Sequence, residues 1–287
     1  MSKVIVLYNP YSDNNQGKAN AEKIVEFYPD DEVVFEDITI VSKDYKAFFG
    51  GIKDEIVVLS GGDGTLNRFV NEATGIFEGT DIYYYAAGTG NDFLNDIPDE
   101  EKGGKPFKVN KYITDLPVCT VNGKKWLFFN GIGYGIDGYC CEVGDKIREE
   151  NPGAKINYTS IAIKGLLFHY KPTHAKVTID GVTKEYDKVW LAPTMNGRFY
   201  GGGMNACPDQ DRLNPEHSVS TLLYYGVGKL KALIVFPSIF KGEHIKHTEM
   251  IEITKGHKVK VEFDRPVALQ VDGETVLGVT EYEVETK

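Results

Sequence analysis

The stretch Ile56-Val57-Val58-Leu59-Ser60-Gly61-Gly62-Asp63-Gly64-Thr65-Leu66-Asn67-Arg68-Phe69-Val70-Asn71-Glu72-Ala73 changes hydrophobic period in its middle. That change restricts the fold more than any other feature of the chain. Ile56 to Ser60 have the character of a buried strand and end at glycines. Beyond them Leu66, Phe69, Val70 and Ala73 recur at i, i+3, i+4 and i+7, one face of an α-helix, with Thr65 placed as an N-cap hydroxyl. The unit is strand, tight turn, helix. Glycines let a backbone approach a ligand, and the first-turn N–H groups of a helix suit phosphate. No lysine stands next to Thr65, so this is not a Walker P-loop; Asp63 sits among the glycines instead. An acid beside phosphate is repulsive unless a cation lies between them, which points to a Mg²⁺-nucleotide rather than bare phosphate. An ordinary glycine-rich βα turn is the alternative reading of the same letters.

The flanks repeat the pattern. Lys3 to Tyr8 reads as a strand broken by Asn9-Pro10-Tyr11-Ser12. Ala21, Ile24, Val25 and Tyr28 come next at helical spacing, and a second strand covers Val33 to Phe35. Thr39 lies just after it, where doubly wound folds place ligand-contacting loops. A helix at Tyr45 to Phe49 and a strand at Ile82 to Ala87 complete a β-α-β-α-β-α-β rhythm. The expected fold is α/β: a doubly wound, mostly parallel sheet with ligands at the carboxyl ends of its strands.

Past about residue 115 the rhythm changes. Val118 to Val121, Asn122-Gly123 and Trp126 to Phe129 read as a hairpin, as do Lys176 to Ile179, Asp180-Gly181 and Thr183 onward. Val259 to Phe263 and Ala268 to Val271 add strands, and one apolar helix spans Tyr158 to Tyr170 with core packing as its default role. The sequence therefore divides into a nucleotide-binding domain over 1–115 and a mainly antiparallel β domain over 116–276. Residues 277–287 are a segment able to return to the first domain.

Composition narrows the partners. With 41% hydrophobic and 26% charged residues in 287, the chain reads as soluble and globular with a core in each domain. A net charge of −10 argues against nucleic acid and against wholesale adsorption on anionic membrane, so contact with a bilayer would be local. The apolar start is too short for a signal segment, and a cytoplasmic protein is expected. Cys119, Cys140, Cys141 and Cys207 have neither disulfide nor zinc spacing.

A second glycine stretch, Ala86-Ala87-Gly88-Thr89-Gly90-Asn91-Asp92-Phe93, also comes after a strand. Together with Asn9-Pro10 and the Gly61 to Thr65 motif it resembles the diacylglycerol kinase catalytic family, which includes bacterial lipid kinases and is similar to sphingosine and ceramide kinases. The resemblance extends through Asn130-Gly131-Ile132-Gly133-Tyr134-Gly135-Ile136-Asp137, through Asn196-Gly197-Arg198-Phe199-Tyr200-Gly201-Gly202-Gly203, and through Asp272-Gly273-Glu274, in the family's order. The Gly-Gly-Asp-Gly-Thr motif alone is shared with NAD kinases and resembles phosphofructokinase sites; the Gly88 to Phe93 stretch separates this chain from both.

The resemblance implies a two-domain kinase of NAD kinase-like and phosphofructokinase-like fold, with ATP on the first domain, Mg²⁺ as cofactor and a lipid hydroxyl arriving from the cleft. Carried over, nucleotide contacts fall on Asn9, Pro10, Ser12, Thr39, Gly61, Gly62, Asp63, Gly64, Thr65, Asn67 and Thr89. The catalytic base falls in Asp272-Gly273-Glu274, with Glu274 favoured as proton acceptor and Asp272 orienting it or binding metal. Asp272-Gly273 is equally a good hairpin turn, as Asp180-Gly181 is without a Glu after it. One departure stands out: where the family carries an Asp-Gly that helps to hold a structural Mg²⁺, this chain has Asn214-Pro215. Asp211, Asn214 and the backbone of Glu216 fall at the ligand positions, and losing one carboxylate weakens a hard-cation site.

For substrate contact, the basic stretch Lys241, His244, Lys246, His247, Lys255, His257, Lys258 and Lys260 offers either local lipid docking or a solvated strand face, and Asp137 is placed near the acceptor. The expected partners are a lipid substrate at a transiently contacted membrane surface and no nucleic acid, with a homodimer left open. The function expected is an ATP-dependent lipid kinase acting on a diacylglycerol-like or sphingoid hydroxyl. The alternatives are an NAD kinase-like enzyme with a soluble acceptor and a catalytically lapsed nucleotide-binding regulator.

Overall fold

The computed structural model describes residues 2–87, 91–151 and 153–287. The chain divides into two compact units, Met1–Thr114 and Asp115–Lys287.

In the first unit, strands β1 (Lys3–Tyr8), β2 (Glu32–Asp37), β3 (Ile56–Gly61), β4 (Ile82–Ala86) and β5 (Phe107–Lys108) stand in the order β2-β1-β3-β4-β5. All neighbours pair in parallel except the short β5, which runs antiparallel to β4. Val4, Val6, Val57, Val58 and Leu59 are fully buried, as expected of strands covered on both faces. The register sets Tyr8 opposite both Asp37 and Ser60, and Ser60 opposite Tyr85. The carboxyl ends of four strands thus form one edge. Strand order reverses between β1 and β3, the switch point at which such sheets bind ligands. The helix expected around Ala21 to Tyr28 is an α-helix over Gly17–Glu22 that tightens into a 3₁₀ turn over Lys23–Phe27, burying Ala21 and Ile24 but leaving Val25 exposed.

In the second unit, β6 (Val118–Val121) and β7 (Lys124–Leu127) form the first expected hairpin, and β8 (Gly131–Tyr134) leads into the Ile136–Glu150 helix. β9 (Thr173–Ile179) and β10 (Val182–Val189) form the second hairpin. Then come β11 (Thr194–Met195), β12 (Phe199–Tyr200), β13 (Met204–Asn205), β14 (Val219–Tyr224), β15 (Ile251–Gly256), β16 (Lys258–Val271) and β17 (Glu274–Glu285). Ten of these strands join one antiparallel sheet with β16 as its spine: its first half pairs with β9, its second half with β8, and β17 runs along its other side. The sequence suggests two separate strands here. They are one strand whose register slips between Glu262 and Val267, around Pro266, which has no N–H to give. The core packs Trp190, Tyr134, Tyr224 and Tyr282, with the Tyr134 ring stacked 3.9 Å from Phe263 and the Tyr282 hydroxyl donating to the Ala192 carbonyl at 2.9 Å.

Residues 277–287 do not return to the first unit. Residues 277–285 belong to β17, which pairs with β16 and β6, because Val279, Tyr282 and Val284 point inward onto the core of the second unit. All four thiols are free, and burial pushes those of Cys119 and Cys141 up to about 12. Among the described residues no helix is long and apolar enough to cross a membrane.

Candidate active site

Asn9 leaves β1 at the switch point and uses nearly every polar atom it has. Its backbone N–H donates to the Ser60 carbonyl at 3.2 Å, and its Nδ2 donates to Thr65 Oγ1 at 2.9 Å. Its Oδ1 accepts the Tyr11 N–H at 3.0 Å, and its carbonyl accepts the Ser12 hydroxyl at 2.8 Å. A Cβ on Gly17 would lie 1.8 Å from that carbonyl, so this position admits only glycine. The first expected motif is therefore bonded side chain to side chain to the second, across β1 and β3. Between them Asp13, Asn14 and Asn15 hold φ of 47°, 55° and 66°, a left-handed run that Asp and Asn tolerate best.

Thr65 is not the N-cap that the sequence suggests. The helix is Asp63–Ala73 and Gly62 caps it, its carbonyl accepting the Thr65 N–H at 3.0 Å, while the Thr65 hydroxyl is committed to Asn9. A Cβ on Gly61 would meet Thr65 Oγ1 at 2.5 Å, which explains that glycine; around Gly64 there is open space. Asp63 opens the helix, and its Oδ2 accepts the Phe93 N–H at 3.2 Å, tying this turn to the Asn91-Asp92-Phe93 segment, whose Phe93 ring is buried against Tyr84. A carboxylate at the head of a helix beside a glycine turn is of the kind that would hold a Mg²⁺ carried on a nucleotide, which would neutralise phosphate charge there. Asn67 is buried, with its carbonyl accepting from Asn71 Nδ2 at 3.0 Å. Thr39 lies at the same sheet edge, just past β2, where its N–H and hydroxyl both donate to Asp37 Oδ1 at 2.8 and 2.7 Å and so cap a short helix. Thr89 lies outside the described residues.

On the second unit, Asp272 and Gly273 have φ of 44° and 96° and join β16 to β17 in a tight turn. Asp272 does more than turn the chain. Its carboxylate accepts the N–H groups of Phe129 (2.7 Å), Asn130 (3.0 Å) and Gly131 (2.8 Å), and its own N–H donates to the Gly131 carbonyl at 3.0 Å. Glu274, two residues on, is exposed, and its carboxylate makes no hydrogen bond or ion pair with any described residue. Gln270 braces the turn, its Oε1 accepting the Gly273 N–H at 2.6 Å.

At the expected structural-metal positions the loop is closed by its own hydrogen bonds. Asn214 Nδ2 donates to the carbonyls of Asp211 (2.7 Å) and Ser218 (3.0 Å), while its Oδ1 accepts from the Ser218 N–H (2.9 Å) and hydroxyl (3.1 Å). Asp211 Oδ1 accepts the Leu213 N–H at 2.9 Å, and the Glu216 carbonyl accepts from His257 Nε2 at 2.8 Å. The Asn214 amide closes the loop both as donor and as acceptor, where a carboxylate could only accept. Among the described residues no cluster of three or more His, Cys, Asp and Glu could hold a metal. The same loop contributes Arg212, whose guanidinium donates to the Phe129 carbonyl (3.0 Å) and Asn130 Oδ1 (3.1 Å). Arg212 and Asp272 thus grip one segment. Sequence reasoning missed Arg212, since its partners lie about eighty residues away and no local spacing marks it.

Asp137, in the first turn of the Ile136–Glu150 helix, is buried, and desolvation pushes it up to about 6 against the opposing pull of the Tyr200 hydroxyl and the Gly138 N–H. The basic stretch is largely neutralised. Lys246 pairs with Glu243 (3.2 Å), Lys260 with Glu281 (3.1 Å) and Lys258 with Glu285 (3.8 Å), while His244 is buried and donates Nε2 to the Ala206 carbonyl. Lys255 donates to the Asp209 carbonyl instead of to an acid, at 3.1 Å.

The first unit has a phosphate-suited turn at a switch point, and the second has an acidic turn held by backbone bonds, features that a two-unit phosphotransferase would use. Residues 3–113 match the diacylglycerol kinase catalytic domain and residues 130–285 match the YegS C-terminal NAD kinase beta sandwich-like domain. The chain belongs to the diacylglycerol kinase catalytic-domain family. It is 29% identical over 223 residues to a diacylglycerol kinase of Mycobacterium tuberculosis, covering 72% of this chain and 67% of that protein. It is 24% identical to a diacylglycerol kinase of Bacillus subtilis over 225 residues, covering 77% and 71% of the two chains. A crystal structure of a diacylglycerol kinase from Bacillus anthracis superposes with a TM-score of 0.65 at 19% identity over 99% of this chain and 93% of that one, a likeness of fold.

Proposed function

We propose that the protein transfers the γ-phosphoryl group of ATP to the hydroxyl of a diacylglycerol-like or sphingoid lipid. The observation that carries this reading is the Asn9 to Thr65 hydrogen bond, which fixes two motif segments at the switch point of a parallel sheet, beside the first turn of a helix. There the glycine backbone cradles phosphates and Asp63 would hold the nucleotide's Mg²⁺.

The Asp272-Gly273-Glu274 turn supplies the base. Asp272 spends its oxygens on three N–H donors, so it anchors the turn. Glu274 is the accessible carboxylate, held at the start of β17 by that anchored turn. It takes the proton of the acceptor hydroxyl as the lipid oxygen bonds to the γ-phosphorus and the bond from phosphorus to the β,γ-bridging oxygen breaks, releasing ADP.

The test is transfer of labelled γ-phosphate to a panel of lipids in mixed micelles, with NAD alongside, by the intact protein and by Asp63→Ala. Labelled lipid formed by the intact protein and lost in Asp63→Ala supports the reading. Labelled NADP overturns the acceptor class, and ATP binding without any labelled product overturns catalysis.

A further inference from the structure

We propose that Asp145 is a positioning residue for the base: it pins Thr275 to the Ile136–Glu150 helix and so aims the neighbouring Glu274 carboxylate. The role of Glu274 as base rests on the kinase reading above; the tie itself does not. Thr275 Oγ1 donates to Asp145 Oδ2 at 2.6 Å, a link between residues 130 positions apart. The other oxygen of that carboxylate, Oδ1, accepts from Arg148 Nη1 at 2.7 Å, and Arg148 Nη2 donates to the Tyr158 hydroxyl at 2.6 Å. Tyr158 opens the next helix, Tyr158–Lys164. A Cβ on Gly144 would come within 2.9 Å of the Tyr158 ring, so the glycine directly before Asp145 makes the room in which that ring sits. Thr275, Asp145, Arg148 and Tyr158 thus tie the start of β17 to two helices.

The tie matters because of what it stands beside. Successive side chains of a strand point to opposite faces, and β17 begins at Glu274. Thr275 is half-buried and bonded to the helix on one face, so Glu274 is turned to the other. Rotating the strand about its axis would move both side chains together. Holding the Thr275 hydroxyl therefore fixes the direction of the carboxylate next to it. Glu274 has no bond of its own for this, since its carboxylate pairs with no described residue. The ladder offers only a short stub: Glu274, Thr275 and Val276 stand opposite Val271, Gln270 and Leu269, and the register then slips before Val279. The Asp272 grip secures this stub on the side of the turn, and Asp145 secures it on the side of the helix. The Arg148–Asp145 pair is half-exposed, and such pairs add little stability, so its use here is geometric.

The experiment is a double-mutant cycle on single-turnover transfer of labelled γ-phosphate from ATP to diacylglycerol in mixed micelles, using Thr275→Val and Glu274→Gln singly and together. Thr275→Val removes the donor at nearly constant shape. It should slow transfer about 10–100-fold, the scale of loss when a reacting group is misplaced, with ATP affinity and melting temperature unchanged. Asp145→Ala should reproduce the loss, and Thr275→Ser, which restores the donor, should recover most of the rate. In the Glu274→Gln background Thr275→Val should have no further effect, because it acts only through the base. Transfer at the intact rate in Thr275→Val overturns the proposal. So do losses that multiply in the double variant, or a loss accompanied by a fall in melting temperature, either of which would make the bond a support for the fold alone. A second readout needs no turnover: the backbone amides of Gly273 and Glu274 should exchange with solvent faster in Thr275→Val than in the intact protein or in Thr275→Ser, and equal exchange overturns the tie. Absence of transfer to any lipid by the intact protein, with that exchange pattern present, refutes the kinase reading and upholds the tie.

Discussion

The second unit contains two Asp-Gly turns of nearly the same geometry. Asp180-Gly181 has φ of 48° and 83°, and Asp272-Gly273 has φ of 44° and 96°. Each closes a hairpin, and each aspartate carboxylate accepts backbone N–H groups from a distant segment: Asp180 from His257 and Lys258, Asp272 from Phe129, Asn130 and Gly131. The turn is thus a structural device in both places. The two differ in the residue after the glycine and in the segment that the aspartate grips. After Asp180-Gly181 the chain continues with Val182, and the gripped residues begin the edge of a strand. After Asp272-Gly273 comes an exposed carboxylate, and the gripped segment is also held by Arg212 and by Asn196 Nδ2. A turn motif in a sequence therefore says little by itself; its neighbours give it chemistry.

The largest expected effect sharpens that contrast. Glu274→Gln should slow transfer by about 10²–10⁴-fold, the range for losing a general base, with the melting temperature unchanged because the side chain is exposed. Asp180→Asn should leave the rate untouched, and an equal loss in both variants would erase the distinction between the turns. Next comes stability. Asp272→Ala orphans three N–H groups and should cost about 3 kcal/mol in urea unfolding, whereas Asp180→Ala, at an exposed turn, should cost about 1 kcal/mol. Equal costs would mean that Asp272 is no special anchor.

A smaller effect tests the loop on the other side of the gripped segment. Asn214→Ala should cost about 2 kcal/mol, since Asn214 links Asp211 to Ser218 by four hydrogen bonds, with Gln210 Nε2 as a weaker second link. Without nucleotide, the melting temperature of the intact protein should be the same in EDTA and in Mg²⁺. A rise with Mg²⁺ would show a cation in the loop. The smallest effect is at acid pH. Burial raises the Asp180 carboxyl, but the Lys258 and His257 N–H groups outweigh it and hold the carboxyl below the usual range. Its stabilisation is therefore present above the unfolded value of about 3.9 and fades as pH falls through the lower folded value. Asp180→Asn should flatten that part of the acid unfolding curve, and an unchanged curve would count against the anchoring bond.

What was legible in the sequence was local. The period change at Gly61, the Asn-Gly and Asp-Gly turns and the alternating strands arise from a few neighbouring letters, and the structure places them as read. The motif order carried the family as well. Contacts over long separations were not legible: the Asn9 to Thr65 bond, the Asp272 grip on Phe129 to Gly131, and the Arg212 link. The Thr65 assignment failed because its hydroxyl answers to Asn9 across the sheet rather than to its own helix. The sequence left the basic stretch from Lys241 to Lys260 open between lipid docking and a solvated face, and the glutamates that pair with Lys258 and Lys260 lie on β17, beyond any local spacing.

The most direct test of the central claim is a paired measurement on Glu274→Gln: ATP affinity by calorimetry and single-turnover transfer of labelled phosphate to diacylglycerol in micelles. The account predicts unchanged ATP binding with transfer lost, because the proposed nucleotide site is on the first unit and the proposed base on the second. Transfer at the intact rate would contradict it and leave the Asp272-Gly273-Glu274 turn a hairpin and nothing more.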